Sequence, residues 1–329
     1  MIALLALAAA ATAADPLVTF KDWVAGCDNG RSCMAVGQYN AANFDLASVV
    51  VERGPLPGAV PVIWFRNEDE KVIDLAADGK RLNVKLILDA DEYTLTVAAE
   101  SAPTVVAALQ SAKLLAPVLA DGSKASPLSI SGASAAMRWI DAQQQRVGTL
   151  TALVAKGARP ASAVPPPPPL PIVTRAVPSG SLGKPLSDAD IRKIQQEYAE
   201  CSDDSELQDK VDYGRIDAHT TLAIVTAICG SGAYNYFGIP LLLRDDGTRT
   251  VADFGPKEEG DLTMNLSWDA KTATLSTSFK GRGIGDCGGG TDYVWDGQRF
   301  RVVRESMMGE CLGAIAWITT FRARVVAAR

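Results

Sequence analysis

Much of this chain is written in short β-rich runs, and in the best of them the apolar residues recur at every second position, the spacing of a strand that buries one face. The clearest stretch is 81–88, where Leu82, Val84, Leu86 and Leu88 point one way and Asn83, Lys85 and Ile87 the other. Asp78-Gly79 just before it suits a type I′ hairpin turn, whose two central residues both take positive φ. Other β-rich runs predict strands over 17–24, 33–38, 46–52, 60–65 and 93–98. The period then lengthens. Helices are predicted over 103–112 and 132–145, the second with Ala136, Trp139, Ile140 and Gln143 at helical spacing, and strand candidates 127–131 and 149–155 flank it.

Past residue 186 a helix opens at Ser187, a good N-cap with Asp190 three residues on. Ile191, Ile194 and Tyr198 share one of its faces, and it is expected to end near Cys201. Strands follow at 221–228, 239–244, 249–254, 262–268, 274–279, 292–295, 299–304 and 314–324. Asp246-Gly247, Asp296-Gly297 and the stretch 268–272 supply the turns between them. Trp-Asp occurs twice, at Trp268-Asp269 and Trp295-Asp296, which is too few copies for a propeller array. The fold class expected is mainly β with a few helices, α+β, in two antiparallel β-rich domains that are sandwich- or barrel-like.

The boundary between those domains is written in proline. Residues 165–169 are five consecutive prolines, followed by Pro171, Pro178, Gly180, Gly183 and Pro185. Such a run favours polyproline II at about 3.1 Å per residue and reads as a semi-rigid spacer that takes no part in a sheet. The expected division is a signal peptide at 1–14, an N-terminal domain at 15–159, the linker at 160–186 and a C-terminal domain at 187–329. The leader rests on the apolar run 2–11 and the small-x-small site Ala11-Thr12-Ala13. Its n-region has no Lys or Arg, so either the true start lies further upstream or the α-amino group supplies the only positive charge. No later stretch is long and apolar enough to span a membrane as a helix.

Export changes the reading of the six cysteines, Cys27, Cys33, Cys201, Cys229, Cys287 and Cys311. In an oxidising compartment an even number is most simply a disulfide framework. Proximity within each domain favours Cys27 with Cys33, Cys201 with Cys229, and Cys287 with Cys311. Loop entropy assigns these bridges about 2.4, 3.6 and 3.5 kcal/mol respectively. A zinc or redox site is disfavoured, because no Cys-x-x-Cys pair occurs and His219 is the single histidine.

A net charge of -6 with no basic cluster leaves nucleic-acid binding without a footing. The densest candidate site is the glycine-rich run from Lys280 to Gly290. Alternating glycines, Gly283 among them, let backbone N–H groups converge on an anion, and Lys280 and Arg282 add positive charge beside it. It is no dinucleotide fingerprint, since a hairpin and not a helix follows it. A bulged turn beside Cys287 is the plainer reading. Tyr234 and Tyr236, with Phe237, form a second candidate, an aromatic patch for carbohydrate or protein contact or else a sheet plug.

Tests for catalysis are mostly negative. Ser134 lacks the second glycine of a nucleophile elbow, and His219 has no evident partners. The acidic stretch Asp203, Asp204, Glu206, Asp209 and Asp212 lacks EF-hand spacing and reads as a solvated loop. Asp286 and Asp292 are the best pair of carboxylates for hydrolysis.

Several of these segments resemble one family. They are Trp23-Val24-Ala25-Gly26-Cys27-Asp28-Asn29-Gly30 with Cys33, the helix Gly132-Ala133-Ser134-Ala135-Ala136-Met137-Arg138-Trp139-Ile140-Asp141, the proline run, the stretch 229–235 and the stretch 280–288. Together they resemble the exported proteobacterial family called domain of unknown function 1176, over nearly the whole mature chain. The N-terminal domain is also similar to invasion-associated locus B proteins through 23–27 and 149–157. These resemblances imply a periplasmic, envelope-related role and carry over no catalytic residues. The expectation is a periplasmic binding or envelope-interaction module with no catalytic residues, metal or cofactor, whose partner is an envelope protein or an anionic or carbohydrate ligand. An envelope hydrolase and a protein inhibitor that inserts the 280–290 loop are the alternatives.

Overall fold

The computed structural model describes residues 16–37, 48–66, 71–90, 94–125, 127–199, 211–254, 264–314 and 316–328. Strands β1 (Leu17–Phe20), β2 (Trp23–Cys27), β3 (Cys33–Gly37), β4 (Val49–Arg53) and β5 (Val62–Arg66) run as an antiparallel meander. β6 (Val72–Ala77) and β7 (Lys80–Arg81) leave it as a separate hairpin. β8 (Leu86–Leu88) and β9 (Thr94–Val97) return, giving the order β1-β2-β3-β4-β5-β9-β8. Helix α1 (Ala102–Ser111), strand β10 (Leu115–Leu119) paired with β6, and helix α2 (Ala133–Gln143) complete this half.

Alternation along β2 to β4 serves two cores. Trp23, Ala25, Ala35, Val49 and Val51 meet Val105 and Leu109 of α1 and Met137 and Ile140 of α2. Val24, Val36 and Val50, on the opposite face, meet Met308, Ala314, Ala316 and Ile318 from the far end of the chain. Each buried valine there contributes about 1.5 kcal/mol or more over an exposed one. The sheet is therefore covered on both faces, and its outer cover is C-terminal.

In the C-terminal half come β11 (Ile172–Arg175), α3 (Asp188–Ala199), β12 (Val211–Arg215), β13 (Thr220–Gly232), β14 (Asn235–Arg244) and β15 (Arg249–Val251). β16 (Ser267–Asp269), β17 (Thr274–Lys280), β18 (Gly288–Trp295), β19 (Phe300–Met308), β20 (Ile318–Arg322) and β21 (Arg324–Ala327) follow. Two antiparallel sheets result, β12-β13-β14-β15 and β16-β17-β18-β19-β20. α3 starts as its sequence predicts: Ser187 Oγ accepts the Asp190 N–H at 3.2 Å and donates to Asp190 Oδ2 at 2.8 Å. β13 is buried on both faces, with Leu222 and Ile224 facing the five-stranded sheet and Ala223 and Val225 facing α3. The five-stranded sheet gives Leu275, Tyr293 and Phe300 to that core and, from its other end, Met308 and Ile318 to the core shared with β2 to β4. The architecture is mainly β, α+β, as expected. None of the sheets closes into a barrel among the described residues.

Several predicted elements differ in detail. The stretch 17–24 divides at Lys21, whose φ of 55° turns β1 back into β2. The best-alternating stretch, 81–88, is broken between β7 and β8. There the buried Asp74 carboxylate accepts N–H groups from Leu75, Asn83 and Val84 at 2.8–3.2 Å, and Asn83 sits at φ 55°. A side-chain acceptor has taken the place of a neighbouring strand. The Asp78-Gly79 turn forms as predicted, with φ of 49° and 86°. Neither 127–131 nor 149–155 is a strand. The amides of Leu153, Val154 and Ala155 go instead to the Asp141 carboxylate at 2.7–2.9 Å.

The proline segment also does more than space. Its residues 172–175 form β11, parallel to β21, and Ala176 N–H donates to Trp295 O at 2.7 Å. Leu170 packs on Gly30, where a Cβ would lie 2.8 Å from its side chain. β-Branched Ile172, Val173 and Thr174 lie just beyond Pro171 and restore the donors that proline lacks.

Candidate functional site

The glycine-rich run and the tyrosine patch meet in space. β13 and β14 are joined at Gly232 and Asn235 by a two-residue turn, Ala233 and Tyr234, at φ 53° and 60°. Two non-glycine residues in the left-handed region need support from outside the turn. Asn235 supplies it, for its Oδ1 accepts the Lys280 N–H at 2.8 Å and its Nδ2 donates to Lys280 O at 2.9 Å. Asn265 adds a second tie, donating to Asn235 Oδ1 and Ser278 O and accepting the Tyr236 N–H, all at 3.0 Å. Tyr234 then lies against Gly283, where a Cβ would be 3.0 Å from its ring. The hairpin tip is thus stapled to the end of β17.

Tyr234 is 68% exposed and Tyr236 39%. Beside them a recess of about 260 Å³ is lined by Asp212, Thr226, Tyr236, Phe237, Asn265 and Leu266. Tyrosines fixed by backbone ties present broad contact area at little entropic cost.

The loop 281–287 spends much of its own polarity internally. Gly281 N–H donates to Cys287 O and Gly285 N–H to Arg282 O, each at 2.9 Å. Arg282 holds Asp286 through both Nε, at 2.7 Å, and Nη2. Asp286 is fully buried and also accepts the Gly313 N–H at 2.7 Å. Burial alone would raise its carboxyl above the ordinary range, but the Arg282 and Gly313 hydrogen bonds outweigh it and the net shift is downward. The Asp286 hydrogen bond raises Arg282 in turn. The Cys287–Cys311 disulfide and the Trp317 Nε1–H bond to Gly285 O, at 3.1 Å, close the loop from behind. The Gly281 and Gly285 amides and two of the three Arg282 guanidinium nitrogens are thereby engaged. Lys280 carries no ion pair among the described residues, and its stem lies across Gly285.

Other candidates scatter. His219 stands at the opposite end of β13 from Tyr234, roughly 40 Å away for an extended strand of that length, with Nδ1 3.7 Å from Asp245 Oδ2. Asp292 accepts the Ser276 hydroxyl at 2.7 Å and faces Arg304 across the ladder. Each of these two carboxylates has its own partner, Arg282 for Asp286 and Ser276 for Asp292. Asp203, Asp204, Glu206 and Asp209 lie outside the described residues, as does the expected Cys201–Cys229 bridge. Cys27–Cys33 and Cys287–Cys311 are both formed. Among the described residues no group of three or more His, Cys, Asp or Glu side chains is placed to hold a metal ion.

Sequence reasoning missed a buried polar network in the N-terminal half. Asp141 and Arg146 are wholly buried and Arg53 nearly so. Gln144 Nε2 donates to Arg31 O and Arg53 O at 2.9 Å, and Arg146 donates to Gln144 Oε1 and Pro57 O at 2.8 Å. Burial, then the neighbouring Arg146, lower Arg53 to about 10, with Asp141 opposing. One signal was available, since Asp141 falls four residues after Met137 on the apolar face of α2. The network pins loops.

These features define a mainly-β protein whose turns are braced by disulfides and side-chain staples. A family model described as Protein of unknown function (DUF1176) matches residues 17–324, and the chain belongs to that family. The Uncharacterized protein YpfG of Escherichia coli (strain K12) is 30% identical over 337 residues, covering 93% of this chain and 92% of that protein. The crystal structure of invasion associated protein b from Bartonella henselae aligns with 39% of this chain and 98% of its own, at 18% identity and a TM-score of 0.30, and that slight likeness carries no argument.

Proposed function

We propose that this chain is an exported periplasmic protein, freed of the leader at 1–14, that serves as a non-catalytic binding module of the cell envelope. Its two β-rich units, 15–159 and 187–329, are joined through 160–186. The two disulfides formed among the described residues support an oxidising compartment. No helix there is long and apolar enough to cross a membrane.

The observation that carries the reading is the stapled tyrosine tip beside its polar recess. Tyr234 and Tyr236 form the contact face, Lys280 and the free Nη1 edge of Arg282 form its polar rim, and Gly283 makes room for the Tyr234 ring. Aromatic faces flanked by hydrogen-bonding groups suit the alternating apolar and hydroxyl faces of a sugar chain, so the ligand class is envelope carbohydrate. A hydrolytic role is disfavoured because Asp286 is buried and ionised, with neither a proton to donate nor access to a substrate.

The test is co-sedimentation of the mature protein with purified peptidoglycan sacculi. Tyr234→Ala with Tyr236→Ala is expected to weaken binding roughly tenfold or more, as loss of two anchoring aromatics does at interfaces, while Asp292→Asn binds as the parent does. Retained binding in the tyrosine variant, or sugar release that disappears with Asp292→Asn, would sink the reading.

A further inference from the structure

A second site lies in the N-terminal half, apart from the tyrosine tip. A groove of about 780 Å³ opens between α1, α2 and the β1–β2 turn. Its floor is apolar, with Phe20, Leu109, Ile130 and Trp139, and it also carries two cations, Lys21 and Arg138. Both are exposed, and neither makes an ion pair among the described residues. No carboxylate lines the groove.

Helix α2 adds positive character at the same place. Its N-terminus has no side-chain cap and no acidic residue in the first turn, and Gly132, Ser134 and Ala135 of that turn line the groove. Gly132 is required by contact: at φ 104°, a Cβ there would fall 1.7 Å from Phe20 O. The start of the helix is therefore pressed against the turn that carries Lys21. The volume falls in the range of about 300–1,000 Å³ typical of small-ligand sites. An apolar floor beneath unpaired cations complements an anion with an apolar tail.

We infer that this groove binds the anion of a single-chain fatty acid. The alkyl tail lies on Phe20, Leu109 and Trp139, and the carboxylate sits between Lys21, Arg138 and the first turn of α2. The proposal is independent of the carbohydrate reading.

Isothermal titration of the mature full-length chain with sodium dodecanoate, below its micellar concentration, tests it. Dodecyl maltoside, with the same tail and no charge, is expected to bind roughly tenfold more weakly, and inorganic phosphate to give no measurable binding. Lys21→Glu with Arg138→Glu alters two exposed side chains and is expected to weaken dodecanoate binding by roughly tenfold or more, with the near-ultraviolet circular dichroism unchanged. Ala135→Trp, which fills the groove from the exposed side of α2, is expected to abolish it. Equal affinity for the two detergents, undiminished binding in the charge-reversed protein, or phosphate binding as tight as dodecanoate would each overturn the proposal. Sedimentation showing that two copies pair through this groove, broken by Ala135→Trp, would overturn it as well.

Discussion

In the Cys27–Cys33 turn, Asp28 accepts the N–H groups of Gly30 and Ser32 at 2.8 and 2.9 Å and the guanidinium of Arg322. In the Cys287–Cys311 loop, Asp286 accepts the N–H of Gly313 and the guanidinium of Arg282. Both are buried aspartates next to a half-cystine, and both neutralise an arginine that is partly exposed. The partners differ in origin. Arg322 lies 294 residues from Asp28, whereas Arg282 lies four from Asp286. One carboxylate therefore joins the first sheet to β20, helped by Asn29, which exchanges hydrogen bonds with the backbone of Arg322 at 2.8 and 3.0 Å. The other shapes a loop. The same local chemistry serves assembly in one place and presentation of a surface in the other, and only the position of the arginine distinguishes them.

The comparison is broken most directly at the disulfides. Replacing Cys287 and Cys311 by Ser should cost about 3.5 kcal/mol, against about 2.4 for Cys27 and Cys33, by the length of loop each closes. Urea denaturation reads both, and the reverse order would mean that the seam, not loop entropy, governs the first bridge. Next in size, Arg322→Ala and Arg282→Ala should each cost about 2 kcal/mol, less than a fully buried pair because each arginine is partly exposed. Both unfolding curves should keep a single step, because the shared core of Val24, Val36, Val50, Met308 and Ile318 still couples the halves when either ion pair is lost. Two steps on loss of Arg322 would mean that the Asp28 pair, and not that core, holds the halves together.

Acid sharpens the contrast further. Because the Asp286 carboxyl is held below its ordinary value in the folded chain, its contribution is complete above the unfolded value of about 3.9 and is lost as pH falls through the lower folded value. The stability difference between the parent and Asp286→Asn should therefore be largest near neutrality and shrink below about pH 4. A difference constant with pH would show that Asp286 acts by shape alone. The smallest effect is expected at the presenting surface itself, where Tyr234→Ala should change stability by no more than about 0.5 kcal/mol.

How much of this was legible depended on distance along the chain. The capping box of Ser187 and Asp190, the Asp78-Gly79 turn, the helical phase of α2 and two of the disulfides are short-range features, and the sequence shows them directly. Stretch 81–88 misled because its alternation is real, yet Asp74 takes the amides that a strand partner would have received. Asn235 and Asn265 were invisible as staples, since a side-chain amide can bond to any backbone within reach and composition does not say which. The pairing of Arg282 with Asp286 was open to inspection at a spacing of four residues. Its consequence was not, because only burial of the aspartate turns a surface pair into a committed one.

Taken alone, the sequence determined the β-rich class, the bracing cysteines and the two patches of glycine and tyrosine, all of which rest on residue type and near-neighbour spacing. Tertiary structure alone decided that β2 to β4 are covered on both faces and that 172–175 pair with the last strand. It also decided that Tyr234 sits on Gly283 while His219 stands at the far end of β13. Those outcomes depend on which distant surfaces exclude water from one another, and period-two alternation marks a strand's two faces without naming what will cover either.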